Sequence, residues 1–184
     1  MMKNSLKGII FLASLSISVK LNAQNNDTLY RFCDSVNCEL GCKMGYRNVD
    51  GDTVIALGKF ADCSMLTFTS FAIVTTRHGR SIGIDRNGKE LYEVCWTDNM
   101  PDYFFAKDYG EVDLFKIKVN GLIGFADFNG KIIIQPQFEC AGLFTNGKCW
   151  VAKNCELIPD GEYMAMKSDE GYYIDVQGRR IEGE

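Results

Sequence analysis

Any chemistry in this chain has to come from a short set of side chains: aspartates at matching positions, one histidine and eight cysteines. Asp85, Asp127 and Asp175 each stand three residues before a glycine, at Gly88, Gly130 and Gly178, and Asn48 stands in the same relation to Gly51. A hydrolase needs each acid or base role once, whereas a fold needs its turn residue in every copy, so the recurrence marks these residues as turn formers. The Asp-x-Asn-Gly run lacks the alternating ligand positions of a calcium loop. His78 is the sole histidine and precedes Gly79 at an expected hairpin tip. One histidine cannot build a two-His metal site, and a histidine-dependent triad would fall on it alone. Ser64, Ser70 and Ser81 have no Gly-x-Ser-x-Gly surroundings, and no glycine-rich loop ends in Gly-Lys-Ser/Thr. The expectation is no catalytic residue, no metal and no cofactor.

The cysteines, at Cys33, Cys38, Cys42, Cys63, Cys95, Cys140, Cys149 and Cys155, raise the question of compartment. Residues 1–23 carry Lys3 and Lys7, then the apolar run Gly8–Val19, then a small residue at Ala23. That order describes a secretory signal peptide with Gln24 as the first mature residue, and the run is too short to span a membrane, which takes about 20 residues. Export makes disulfides the expected fate of the thiols and puts the protein in the periplasm, in the medium or at the cell surface. Three cysteines lie before residue 43 and five after it, so complete oxidation requires a bridge between the two groups. The Cys33, Cys38, Cys42 spacing does not fit a zinc ribbon, and no Cys-x-x-Cys is present. The chain has 20 basic and 24 acidic residues, a net charge of −4 and no Lys/Arg-rich run, which removes nucleic acid as a partner.

The elements that must position these residues follow from spacing. The turn glycines are 37, 42 and 48 residues apart, and each is flanked by short apolar runs. In Leu114–Val119 the apolar Phe115, Ile117 and Val119 alternate with Lys116 and Lys118, which reads as a strand with its lysines facing water. Asn120-Gly121 is a two-residue hairpin signal. Each unit therefore reads as strand, tight turn, strand, tight turn, strand, and one such unit cannot bury its apolar face alone. The spacing predicts an all-β antiparallel meander array of about four three-stranded units over residues 44–184, open or sandwich-like rather than ringed. Residues 24–43 form a cysteine-containing cap, in which apolar residues at 29, 32, 33, 36 and 40 predict a short helix ending at Gly41. Asp98–Glu111 and Asn154–Gly161 are insertions, where binding residues usually lie. Tyr103, Phe104 and Phe105 are the candidate binding residues, because three consecutive aromatics cannot all point inward from one strand.

The run Asn120-Gly-Leu-Ile-Gly-Phe-Ala-Asp-Phe-Asn-Gly-Lys-Ile-Ile-Ile-Gln-Pro-Gln-Phe138, with Ala141, Phe144, Gly147 and Trp150-Val151, resembles the WG repeat of bacterial proteins. The likeness extends more weakly over 44–74, 79–119 and 163–181, and no unit carries the Trp of the family pattern. The resemblance implies a binding or interaction scaffold without shared catalytic residues. The expectation is an exported, non-catalytic binding or scaffold protein of the cell envelope, with an envelope protein or glycan as partner and no transmembrane segment after signal cleavage. Two other classes stay open: an envelope hydrolase acting on polysaccharide, and a self-associating structural component.

Overall fold

A computed structural model describes residues 28–35, 41–97, 99–161 and 163–182. Residues 1–23, read above as a signal peptide, the polar start at 24–27 and Cys38 lie outside the described residues.

The described residues fold as four antiparallel meanders. Unit 1 is β1 (Leu29–Cys33), β2 (Met44–Arg47) and β3 (Thr53–Ile55); the connector holds β4 (Asp62–Cys63) and β5 (Thr67–Phe68). Unit 2 is β6 (Phe71–Thr75), β7 (Ser81–Asp85) and β8 (Glu90–Val94), followed by β9 (Trp96–Thr97), β10 (Met100–Pro101) and α1 (Asp102–Tyr109). Unit 3 is β11 (Leu114–Val119), β12 (Leu122–Asp127) and β13 (Ile132–Phe138), and β14 (Cys140–Ala141) leads out of it. In unit 4 a long hairpin runs up through β15 (Lys148–Ala152) and β16 (Glu156–Asp160) and back through β17 (Tyr163–Lys167) and β18 (Tyr172–Asp175). Arg180 then bridges back to Ile174 as the third strand. The sheets run β3-β2-β1-β5, β13-β12-β11-β8-β7-β6-β4 and β14-β15-β18, with β10-β9 and β16-β17 as separate pairs; no barrel closes among the described residues.

The Asp-x-x-Gly turns are built alike. Gly51, Gly88, Gly130 and Gly178 have φ of 91°, 73°, 84° and 81°, and each donates its N–H to the carbonyl three residues back. A type I turn closed by a left-handed residue adds one residue to the strand, and the register shifts just before the turns of units 1 to 3 show it. The Asp85 carboxylate accepts from Asn87 N and Lys89 N at 2.8 and 2.9 Å, and Asp127 and Asp175 repeat the pattern with Asn129, Lys131, Gln177 and Arg179. Asn48 Oδ1 accepts from Asp52 N in the same way.

Each pair of neighbouring units encloses one apolar core. Leu29, Tyr46 and Ile55 of unit 1 meet Ala72, Val74, Ile82 and Ile84 of unit 2. Phe71, Ile73, Tyr92 and Val94 of unit 2 meet Phe115, Ile117 and Ala126 of unit 3. Phe125, Ile134 and Phe138 of unit 3 meet Cys149, Val151 and Ile174 of unit 4. Alternate residues of β6 thus enter different cores, which is why Phe71-Ala-Ile-Val74 is continuously apolar: a strand covered on both faces has no wet side.

The turns also lock neighbours together. In units 1 to 3 the residue four positions after the turn glycine packs at the turn of the next unit. Ile55 lies 3.2 Å from where a Cβ on Gly88 would stand, and Ile134 lies 3.1 Å from that point on Gly178. The Tyr92 hydroxyl donates to Gly130 O at 2.8 Å, and a Cβ on Gly130 would come 2.3 Å from Phe71 Cδ2. Gly51 has nothing within 4 Å of that position among the described residues.

Several expectations are corrected. Residues 29–33 are a strand, not the start of a helix: β1 pairs with β2 and β5, and Leu29 fills the first core. Pairing on both sides overrides the helical spacing, and residues 36–40 lie outside the described residues. Asp98–Glu111 is not a bare loop but carries α1. Lys116 and Lys118 share the strand face turned toward unit 4 rather than toward water; both are half-buried, and the Lys116 side chain is 12% exposed. Complete oxidation is not observed. Cys140 is bridged to Cys155 and Cys33 is disulfide-bonded, but Cys42, Cys63, Cys95 and Cys149 are free thiols. Bridging needs Cα atoms about 4.4–6.8 Å apart, and packing holds Cys63 in the first core and Cys149 in the third.

Candidate functional site

The insertion after unit 2 helps to build a partly enclosed recess. Pro101 precedes the helix, where its missing N–H costs nothing, and Asp102 opens the first turn, where a carboxylate is favoured. Asp102 is 2% exposed. Its carboxylate accepts from the Thr97 hydroxyl and from the Lys116 backbone N–H, and its own N–H donates to Cys95 O at 2.7 Å. Lys116 Nζ lies 3.7 Å from Asp102 Oδ1, an ion-pair distance beyond hydrogen-bond reach. These bonds tie the helix to β9 and β11. A buried carboxylate requires such a set of donors, since an unpaired one is strongly disfavoured.

Of the three candidate binding aromatics, Tyr103 is not available. It is 3% exposed, with its ring centroid 5.2 Å from Phe115 and 5.4 Å from Phe128 in the second core. A helix places Asp102, Tyr103 and Ala106 on one buried side, which a strand could not do. Phe104 is half-buried, edge-on to Tyr103 at 5.1 Å. Phe105, packed on Tyr109 at 5.5 Å, lines a cavity of about 160 Å³. Its walls include Ala106, Leu114, Lys116, Phe125 and Phe144, with the acidic Glu111 also on the lining. The arrangement is an apolar recess with one ion pair at its edge, able to hold a small apolar group.

The other candidates are dispersed. His78 is exposed at the β6–β7 tip. The Asp85, Asp127 and Asp175 carboxylates are engaged by backbone N–H groups in three separate turns. Ser64 donates to Asp62 Oδ2 at 2.6 Å, and the Ser81 hydroxyl is buried. Burial pushes the Cys63 and Cys95 thiols up to about 11 and Cys149 up to about 12, so all three are protonated at neutral pH and poor nucleophiles. Among the described residues no group of three His, Cys, Asp or Glu side chains is arranged to hold a metal ion. No helix among them is long and apolar enough to cross a membrane.

Sequence reasoning passed over the Asp102–Lys116 pair. Its local signal was present in Pro101-Asp102 ahead of Ala106 and Lys107, a helix start followed by good helix formers. The lysine half of the pair gives no local sign, because its partner belongs to a different element.

Residues 123–154 match the family model described as WG containing repeat. The matched span runs from β12 of unit 3 through β14 into β15 of unit 4, and so covers the unit 3 side of their shared core together with Cys149 and Val151, while Ile174 and Gly178 lie beyond it. No curated protein and no solved structure matches the chain.

Proposed function

We propose that this chain is an exported, non-catalytic binding or scaffold protein of the bacterial cell envelope, built from WG-like repeats and held in the periplasm or at the cell surface. The observation that carries this reading is the use made of the turn carboxylates. Asp85, Asp127 and Asp175 each spend Oδ1 on two backbone N–H groups, at 2.8 to 3.0 Å, in three separate turns. Groups engaged in that way shape the array and leave its surfaces free for recognition. The basic, apolar and small-residue order of 1–23 supports export, and the Cys140–Cys155 bridge suits an oxidising compartment. The partner is an envelope protein or glycan.

The test is affinity capture from envelope extract on the oxidised mature protein, read for protein and for glycan, with a polysaccharide-turnover assay alongside. Specific recovery of one partner without turnover is the expected result. Polysaccharide turnover that Asp127→Asn abolishes while the fold stays intact would overturn the proposal in favour of an envelope hydrolase.

A further inference from the structure

The three junctions among the described residues follow one rule, and the outer faces of units 1 and 4 carry its unused halves. Alternation along the strands shows which side chains face outward. In unit 1, Leu29 and Tyr46 enter the first core, so the register pair Tyr30 and Arg47 faces away from it, as does Phe32. In unit 4, Cys149, Val151 and Ile174 enter the third core, so the register pair Trp150 and Tyr173 faces the other way. Both end faces therefore present large side chains. Tyr30 and Tyr173 are each 38% exposed and Val49 is 55% exposed, while Phe32 and Trp150 are half-buried. A groove of about 580 Å³ over the unit 1 end is lined by Tyr30, Arg31, Arg47, Val49 and Asp50.

The junction rule names what would fill that groove. Inside the molecule, the residue four positions after a turn glycine (Ile55, Tyr92, Ile134) packs at the next unit's turn. After Gly178 the corresponding residue is Glu182, which is exposed, and the Asn48–Gly51 turn, beside Arg47, has no occupant among the described residues. The Arg47 guanidinium lies 5.6 Å over the Phe32 ring, and neither Arg47 nor Glu182 forms an ion pair among the described residues. A carboxylate at one end and a guanidinium at the other replace the apolar contact of the inner junctions with a complementary charge pair.

We infer that the occupant of the unit 1 end is a second copy of this chain, docked by the outer face of its unit 4, with Glu182 of one copy meeting Arg47 of the next. The two faces differ, so the contact is head-to-tail and does not close on itself; it produces open chains rather than a dimer. Such self-association depends neither on where the protein resides nor on what else it binds. It stands or falls separately from the envelope role.

The test is sedimentation of the mature protein over a range of concentrations, at low and at high salt. The weight-average mass rises with concentration past that of a dimer without a plateau, and less steeply at high salt. Arg47→Glu and Glu182→Arg each weaken association by roughly tenfold, and the two combined in one chain restore it. Tyr173→Ser weakens association without changing charge, and a melting curve for each variant shows that the fold is kept. A single monomeric species at every concentration, a mass that levels off at a dimer, or a double exchange that fails to restore association overturns the inference.

Discussion

The turns at Gly51 and Gly130 have the same backbone and different neighbours. Both glycines adopt a left-handed φ, both donate to the carbonyl three residues back, and both follow a side-chain oxygen that accepts from the backbone beyond the turn. Gly130 rests on the Phe71 ring and accepts a bond from Tyr92, whereas Gly51 stands in the open. The difference separates two jobs that one motif performs. The local Asn/Asp-x-x-Gly pattern sets the bend, and stacking on the preceding unit fixes that unit in place. Units 2 and 3, buried on both sides, are therefore expected to hold the array together.

The largest effect that sharpens this comparison comes from the aromatic cluster between units 2 and 3. Phe115→Ala, at a side chain with no exposure, is expected to cost about 3–5 kcal/mol in denaturant unfolding, against about 0.5 kcal/mol for Tyr30→Ala on the end face. Equal losses would break the distinction between inner junctions and ends. Next, Tyr92→Phe removes only the hydroxyl that reaches Gly130 O, and is expected to cost about 1 kcal/mol with little change in m-value. No loss at all would mean that this bond does not help seat the turn.

The smallest effect is in acid. Desolvation pushes the Asp175 carboxyl up, but the Arg179 backbone N–H, the Arg179 guanidinium at 2.7 Å and the Gln177 N–H outweigh it and hold the group below the usual carboxylate range. A depressed folded value stabilises the protein above the unfolded pKa, and that contribution fades as pH falls through the folded one. Asp175→Asn is therefore expected to flatten the acid side of the stability curve slightly. Unit 1 carries Asn48 at this position, an amide that does not titrate. An unchanged acid limb in the variant would show that the turn carboxylate is not stabilised in the fold.

Much of this arrangement was legible because its determinants are local. The Asn/Asp-x-x-Gly turns, the Asn120-Gly121 hairpin and the strands around them need only neighbouring residues to act. What escaped depends on distant contacts. Leu29–Cys33 has helical spacing only when read on to residue 40, and pairing with Met44–Arg47 on one side and Thr67–Phe68 on the other makes it a strand. Tyr103 is unsuited to binding once residues 102–109 coil, because the helix turns it into the cluster around Phe115. Lys116 reads as a solvent-facing lysine until a helix from another element sets Asp102 beside it. The Cys140–Cys155 pairing follows from β14 lying at the base of the long hairpin, a juxtaposition that spacing along the chain does not encode.

The most direct test compares Gly130→Ala with Gly51→Ala in equilibrium unfolding. Both variants force an alanine into a left-handed conformation, at about 1–2 kcal/mol each, so that cost cancels between them. Only Gly130→Ala drives a methyl group into the Phe71 side chain, and it is expected to lose about 1–3 kcal/mol more than Gly51→Ala. Equal losses would contradict the account, because they would mean that the turn contributes its bend and nothing to the stacking of one unit on the next.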